Sequence, residues 1–296
     1  MHGDSMATLY SAFQSAWRQL ADQNIEGAQL EARLLTAFVA GKTTEQYLRD
    51  RNLPLAPAAA LHLQTLVDRR LRGEPLAYLM GGTSFYGLPF TVCSDVLIPR
   101  IDTEVLIDRI LQDLSEKLDR KWAILDLCSG SGCIGCTLAV NLPNSRVTLA
   151  DISPKALAVC QANVERHELE DRVTCRMADA ACAPSTDWTP LDLIVCNPPY
   201  IPSSDLETLD NTVRNYEPLL ALDGGTDGLD FYRTVLAYWA PLLVPGGRLY
   251  FEVGIHQAQS VQDLMPQFHM EPLALSYDTL GIARVVAGRR MSNSTL

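Results

Sequence analysis

Asn197-Pro198-Pro199-Tyr200 follows directly on the apolar run Leu191-Asp192-Leu193-Ile194-Val195-Cys196, and these residue types suit the task of holding a planar amino group still. The nitrogen of such a group is a poor nucleophile because its lone pair is delocalised. Two acceptors on its hydrogens can turn the lone pair toward an electrophile, and the Asn197 side-chain oxygen and the Pro198 carbonyl are candidates for that pair. Proline holds φ near about −65° and has no N–H, so the loop is stiff and shows carbonyls without a competing donor. Tyr200 can lie over the plane, adding stacking and excluding water. Catalysis would be mainly positioning, with the reacting atoms held about 3 to 3.5 Å apart. Alone, the same residues make a rigid turn; a place after a strand and behind a glycine turn makes them a site. The loop serves a glutamine or asparagine amide and the exocyclic amino group of adenine equally well.

A second constellation is Ile124-Leu125-Asp126-Leu127-Cys128-Ser129-Gly130-Ser131-Gly132, a strand running into a turn that opens a helix. Open parallel sheets bind ligands beyond the carboxyl ends of their strands, at turns of this kind. Glycines let the backbone approach a ligand, and a helix amino terminus offers unpaired N–H groups. Gly130, Gly132 and Gly135 also spell G-x-G-x-x-G, so spacing alone leaves a dehydrogenase open, and Asp151 after the next strand suits ribose hydroxyls under either reading. Asp179 follows the third strand, placed to accept from an adenine amino group, and Asn197 follows the fourth. Any one aspartate can simply cap a turn. Aspartates at successive strand ends argue for a binding site.

The elements that must position these groups are legible in the hydrophobic period. From about Met6 to Arg72 the chain reads as helical. Leu9, Phe13, Trp17 and Leu20 share one face, Ala32, Leu35 and Phe38 form a stripe stopping at Gly41, Thr43 and Gln46 make a capping box, and Pro57 opens a helix ending near Gly73. Between Gly81 and Arg100 the period shortens around Gly87-Leu88-Pro89, as in a hairpin. Thr103 is placed to cap the next helix.

From Trp122 onward short apolar runs alternate with amphipathic ones, the pattern of a parallel sheet covered by helices. Strands are expected at 123–127, 146–150, 173–176, 191–196, 248–253, 271–277 and 283–287, with helices at 134–141, 154–167 and 229–242. The domain reading is a helical substrate-recognition domain at 1–78, a β-hairpin linker at 79–100, a catalytic domain at 101–290 and a flexible tail at 291–296. Met1 to Ser5 and Ser292 to Thr295 read as flexible ends.

With 296 residues, 47% of them apolar and 20% charged, the chain reads as an ordinary globular protein. No run approaches the length of a membrane span, and the start lacks the pattern of a secretion signal, so a cytoplasmic protein with no membrane partner is expected. The formal charge of −11 argues against a nucleic-acid substrate. Eight cysteines sit mostly in apolar runs and read as buried thiols in a reducing compartment. Cys133-Ile134-Gly135-Cys136 has redox spacing without a second pair or histidine, and no metal is expected.

Asp126, Gly130, Gly132, Asp151, Asp179 and the Asn-Pro-Pro-Tyr loop, in that order, resemble the S-adenosylmethionine-dependent methyltransferase fold. Further motifs narrow the resemblance to the HemK/PrmC family of release-factor glutamine methyltransferases. They are Gly73 to Leu79, Phe85 to Phe90, Leu97-Ile98-Pro99-Arg100, Asp102-Thr103-Glu104, Val213 to Pro218, Gly224 to Asp230 and Glu252-Val253-Gly254. The likeness runs from about Met6 to Arg289. It implies an α/β fold: a Rossmann-like domain with a seven-stranded, mostly parallel sheet, preceded by a small all-helical domain and a β-hairpin linker. It also implies S-adenosyl-L-methionine as cofactor, S-adenosyl-L-homocysteine as product, and class-1 peptide chain release factors as protein substrate, methylated on the glutamine of Gly-Gly-Gln.

Asn197, Pro198, Pro199 and Tyr200 would hold that glutamine, with Asn197, Pro198 and Tyr200 catalytic. Cys128, Ser129, Gly130, Ser131, Gly132, Asp151, Asp179, Ala180 and Asn197 would meet the cofactor. Two positions depart from the common pattern: Cys128 stands where many methyltransferases carry a glycine, and Ala180 where an aromatic could pack on adenine. A related group that methylates a glutamine of a large-subunit ribosomal protein is the alternative, and a nucleic-acid adenine methyltransferase a more distant one.

Overall fold

A computed structural model describes residues 7–292; the expected flexible ends, Met1 to Ser5 and the residues beyond Ser292, lie outside the described residues. The chain divides into two compact units, Met1–Gly81 and Gly82–Leu296.

In the first unit the helical spacing produces α1 (Leu9–Asp22), α2 (Ala28–Val39), α3 (Thr44–Asp50), α4 (Pro57–Leu71) and α5 (Leu76–Met80). Thr8 caps α1, Thr43 and Gln46 form the expected capping box on α3, and Pro57 occupies the first turn of α4. The core holds Leu9, Phe13, Ala16, Leu20, Ala32, Leu35, Tyr47, Leu66 and Val67. On α1 the buried line runs through Ala16, so Trp17 falls one position off its centre and is 37% exposed; Phe38 is likewise 39% exposed at the edge of its stripe.

The second unit opens on a hairpin, β1 (Gly82–Phe85) and β2 (Leu88–Thr91), paired from Gly82↔Thr91 to Phe85↔Leu88. Tyr86 and Gly87 make its turn with φ of 51° and 73°, the twist that a two-residue hairpin favours. Then come α6 (Glu104–Asp113), β3 (Ala123–Leu127), α7 (Cys133–Asn141), β4 (Arg146–Asp151), α8 (Pro154–Arg166), β5 (Val173–Met177), β6 (Leu191–Cys196), α9 (Asn211–Tyr216), α10 (Asp230–Thr234), β7 (Leu243–Glu252), α11 (Ala258–Leu264), β8 (Met270–Pro272), β9 (Ser276–Tyr277) and β10 (Ala283–Arg290).

These strands form one eight-stranded sheet ordered β5-β4-β3-β6-β7-β10-β8, with β9 also on β10. From β5 to β7 the ladders are parallel, and β10 runs antiparallel to its neighbours. The count differs from seven because the run expected as one strand over 271–277 is broken between Pro272 and Ser276, giving β8 and β9. Along β3, Ile124 faces a core with α6, α7, α8 and the hairpin, while Leu125 and Leu127 face one built around Tyr232, Trp239 and Val261. The sheet is therefore covered on both faces. The helix expected over 229–242 is α10 followed by a π-helical turn at Val235–Trp239 and a 3₁₀ turn at Ala240–Leu242.

The cap assigned to Thr103 is not made. Ile101–Thr103 already forms a 3₁₀ turn leading into α6, Thr103 has helical φ and ψ of −66° and −20°, and its side chain makes no capping bond. No helix among the described residues is long and apolar enough to cross a membrane.

Candidate active site

After β3 the chain goes outward to β4 and β5 and returns to β6 on the other side of β3. That reversal opens a crevice at the carboxyl ends of β3 and β6, the place where such sheets bind ligands. Leu127 pairs with Cys196, so Cys128 and Asn197 leave the sheet side by side.

A cavity of about 240 Å³ occupies this crevice. Its wall includes Cys128, Ser129, Gly130, Ser131, Asp151, Asp179, Ala180, Asn197 and Pro199, which are therefore brought together as expected. Gly132, Pro198 and Tyr200 are not on the wall. Gly132 lies behind it as the left-handed residue preceding α7, with φ 78°; a Cβ there would stand 2.9 Å from Leu149 Cδ1. Pro198 is buried, and Tyr200 is half-buried against the core that contains Tyr232 and Phe251.

Asp151 accepts the Gly130 N–H at 2.9 Å through one oxygen and the Ser153 N–H at 2.9 Å through the other. It thus caps a turn and lines the cavity at once, and each oxygen keeps a second lone pair for a ligand hydroxyl. Burial pushes this carboxyl above its ordinary range, against the pull of the Ser153 and Gly130 N–H groups. Asp179 similarly accepts the Ala181 N–H at 2.8 Å while facing the cavity. Cys128 adopts φ of 62°, a left-handed conformation that costs a non-glycine residue about 1–2 kcal/mol. The departure from glycine is therefore a strained position rather than a changed backbone.

Asp126 is fully buried behind the turn, accepts the Gly135 N–H at 2.8 Å, and leaves Oδ1 without a partner. Burial pushes its carboxyl up to about 7. It supports the start of α7 and does not line the cavity.

Several supporting residues were not anticipated. Buried Asn163 on α8 exchanges hydrogen bonds with the Thr91 backbone at 2.7 and 3.0 Å and donates to the Ser131 carbonyl at 2.9 Å, tying the hairpin to the cavity turn. Buried Glu217 pairs with the Arg100 guanidinium and accepts the Ile98 N–H at 3.2 Å. That fixes Leu97, Pro99 and Arg100 opposite Pro218 on the cavity rim. Gly224 sits so close to the Asn-Pro-Pro-Tyr loop that a Cβ would fall 2.6 Å from Tyr200 Cα and 2.9 Å from the Pro199 oxygen. Gln257 donates to the Tyr200 carbonyl at 2.8 Å. Arg100, Glu217 and Gly224 belong to motifs named above, but the motifs alone do not specify these contacts.

All eight cysteines are free thiols, and among the described residues no group of three or more His, Cys, Asp and Glu could hold a metal ion.

Residues 11–81 match the PrmC N-terminal domain and residues 101–224 the methyltransferase small domain. A release factor glutamine methyltransferase of Geobacter sulfurreducens is 42% identical, with 91% of this chain and 92% of that protein aligned. A protein of the same name from Moorella thermoacetica is 45% identical over 87% of this chain and 89% of its own length. Among solved structures, a methyltransferase from Pyrococcus furiosus superposes with a TM-score of 0.52 at 15% identity, covering 76% of this chain and 98% of that one; this likeness concerns the fold.

Proposed function

The chain belongs to the release factor glutamine methyltransferase family, and we propose that its Asn197-Pro198-Pro199-Tyr200 loop receives the glutamine of the Gly-Gly-Gln tripeptide of class-1 release factors. It is an enzyme that uses S-adenosyl-L-methionine to methylate the side-chain amide of a release-factor glutamine, a modification that acts on translation termination. The observation that carries the site assignment is the single cavity whose wall holds both the Cys128-to-Ser131 turn with Asp151 and Asp179 and the loop residues Asn197 and Pro199.

The residues present suit the cofactor. Asp151 keeps lone pairs for ribose hydroxyls, Ile152 and Ala180 give the same wall apolar surface, and a Cβ at Gly130, on that wall, would project into open space that a ligand can fill. Cys128 to Gly132 and Asp151 would hold the amino-acid and ribose portions, and Asp179 and Ala180 the adenine. Bound there, S-adenosyl-L-methionine supplies an electrophilic methyl group and leaves as S-adenosyl-L-homocysteine. No metal is invoked.

On the protein side, the Asn197 side-chain oxygen and the Pro198 carbonyl accept the two amide hydrogens of the glutamine, turning its lone pair outward. Burial pushes the Tyr200 phenol well above its ordinary range, so it stays neutral and flanks the amide without acting as a base; methyl transfer makes the nitrogen acidic, and the proton it sheds passes to solvent. The loop is stiff because the prolines fix its backbone, and because Gly224 and Gln257 brace Tyr200 from behind. We read residues 1–81 as the unit that recognises the release factor, and place the enzyme in the cytoplasm with no membrane or nucleic-acid substrate.

The test is transfer of labelled methyl from S-adenosyl-L-methionine to purified release factor, run beside ribosomal protein and DNA. Label on the release factor, lost in Asn197→Ala with cofactor binding retained, supports the assignment. Label on DNA or ribosomal protein alone overturns it.

A further inference from the structure

Glu252 ends β7, the strand next to β6, whose end carries Asn197. It is 3% exposed, and its Oε2 has no hydrogen-bond partner among the described residues. The Thr103 hydroxyl, also buried and without a partner by the same measure, lies beside this carboxyl, as does the Asn197 side chain, and both favour the charged form. Arg284 acts in the same direction, but it is already engaged by Asp102 and Asp278, each at 2.8 Å. Asp102 opposes it. Tyr232 donates its O–H to the backbone carbonyl of Glu252 at 3.0 Å, so it does not serve the carboxyl, and the Tyr200 phenol and Cys133 thiol nearby are both pushed up by burial. Burial dominates at Glu252 itself and holds it up to about 7.

A buried carboxyl with an empty oxygen costs stability. A role at the neighbouring Asn197 accounts for its place.

We propose that Glu252 is a positioning residue for methyl transfer: its carboxylate accepts an N–H from the Asn197 side-chain amide and so keeps the Asn197 oxygen turned toward the substrate nitrogen. An asparagine amide can be reversed about its last torsion, exchanging oxygen for NH₂. Reversed, Asn197 would present a donor to a glutamine NH₂, and one of the two acceptors would be lost. The ionised form of Glu252 enforces the productive orientation. Protonated, it can donate to the Asn197 oxygen and compete with substrate. The inference rests on the reading of Asn197 as a substrate acceptor.

The experiment compares Glu252→Gln, Glu252→Ala, Asn197→Ala and the Glu252→Ala/Asn197→Ala double variant in the full chain. It measures kcat and KM for release factor, cofactor Kd, thermal melting and the pH profile of kcat. Glu252→Ala should lower kcat by about 100-fold, the size expected of a misplaced reacting group, with KM and cofactor Kd within about threefold. Added to Asn197→Ala it should cost nothing more. In the native enzyme kcat should fall below about pH 7 as Glu252 takes up a proton; Glu252→Gln retains an acceptor oxygen, so it should keep more activity than Glu252→Ala and lose that acid limb. Native-like kcat in Glu252→Ala with Asn197→Ala inactive overturns this proposal alone, as does an unchanged acid limb in Glu252→Gln. Full activity in Asn197→Ala overturns the site reading itself.

Discussion

The Gln257 side-chain amide donates to the Tyr200 carbonyl at 2.8 Å while its own oxygen accepts the Gly254 N–H at 2.9 Å. One side chain thereby fastens the end of the Asn-Pro-Pro-Tyr loop to the turn that follows β7. Its amide also reaches the Gly228 carbonyl at 3.3 Å, so loop, glycine-rich segment and strand end meet at a single residue.

Replacing Gln257 by Glu keeps the acceptor for Gly254 and removes the donor to Tyr200. We expect kcat for release-factor methylation to drop by about 10- to 100-fold, because displacements of the order of 1 Å cost that much in a positioning mechanism. Cofactor affinity, measured by titration calorimetry, should stay within about threefold. An unaffected kcat would mean that the loop holds its shape without this brace.

Gly224→Ala places a methyl 2.6 Å from Tyr200 Cα, and backbone must move to admit it. Overpacking of this kind costs about 1–3 kcal/mol, and here the strain falls on the loop that we propose receives substrate. Chemical denaturation should show a loss in that range, and steady-state assays a larger loss in kcat than in cofactor binding. Native stability and activity would show that the close approach is not needed.

These braces explain how far the sequence could be read. The strand ends carrying Cys128, Asp151, Asp179 and Asn197 were legible because a buried parallel strand leaves a short apolar run and its exit follows at once. Gly224 and Gln257 touch Tyr200 only through the folded chain, and no local period encodes that distance. The Thr103 side chain looked like a cap because its neighbours begin a helix, yet Ile101–Thr103 had already entered a 3₁₀ turn. Trp17 has helical spacing but sits off the centre of its face. The interruption between β8 and β9 is Leu273-Ala274-Leu275, so apolar residues run straight through the break, and Pro272 at its start is the one local sign of it.

Cys128 holds a φ of 62°, and glycine would relieve strain of about 1–2 kcal/mol there. Greater freedom of the unfolded chain offsets part of this, by roughly 0.5–1 kcal/mol. Thermal melts should therefore show Cys128→Gly equal to or slightly above the native protein, and Cys128→Val clearly below it, since a β-branched residue tolerates that conformation least. A marked loss in Cys128→Gly would point to a role for the thiol itself.

Asp126 has its carboxyl pushed from 3.8 up to about 7 by burial. Between those values the folded state holds a proton that the unfolded chain has released. Its contribution to stability is therefore fully present below pH 3.8, falls as pH rises toward 7, and levels off above. The loss is at most about 4 kcal/mol. Asp126→Asn keeps an acceptor for the Gly135 N–H and cannot titrate, so its stability should decline less between pH 5 and pH 8 in calorimetry. Equal slopes for the two proteins would contradict the assignment.

The most direct measurement is tandem mass spectrometry of a class-1 release factor after incubation with the enzyme and S-adenosyl-L-methionine, alongside a release factor whose Gly-Gly-Gln glutamine is replaced by alanine. A single methyl group is expected on the side-chain nitrogen of that glutamine, none on the alanine variant, and none from Asn197→Ala enzyme that still binds cofactor. A methyl group placed on any other residue, or transfer undiminished by Asn197→Ala, would contradict the proposed function.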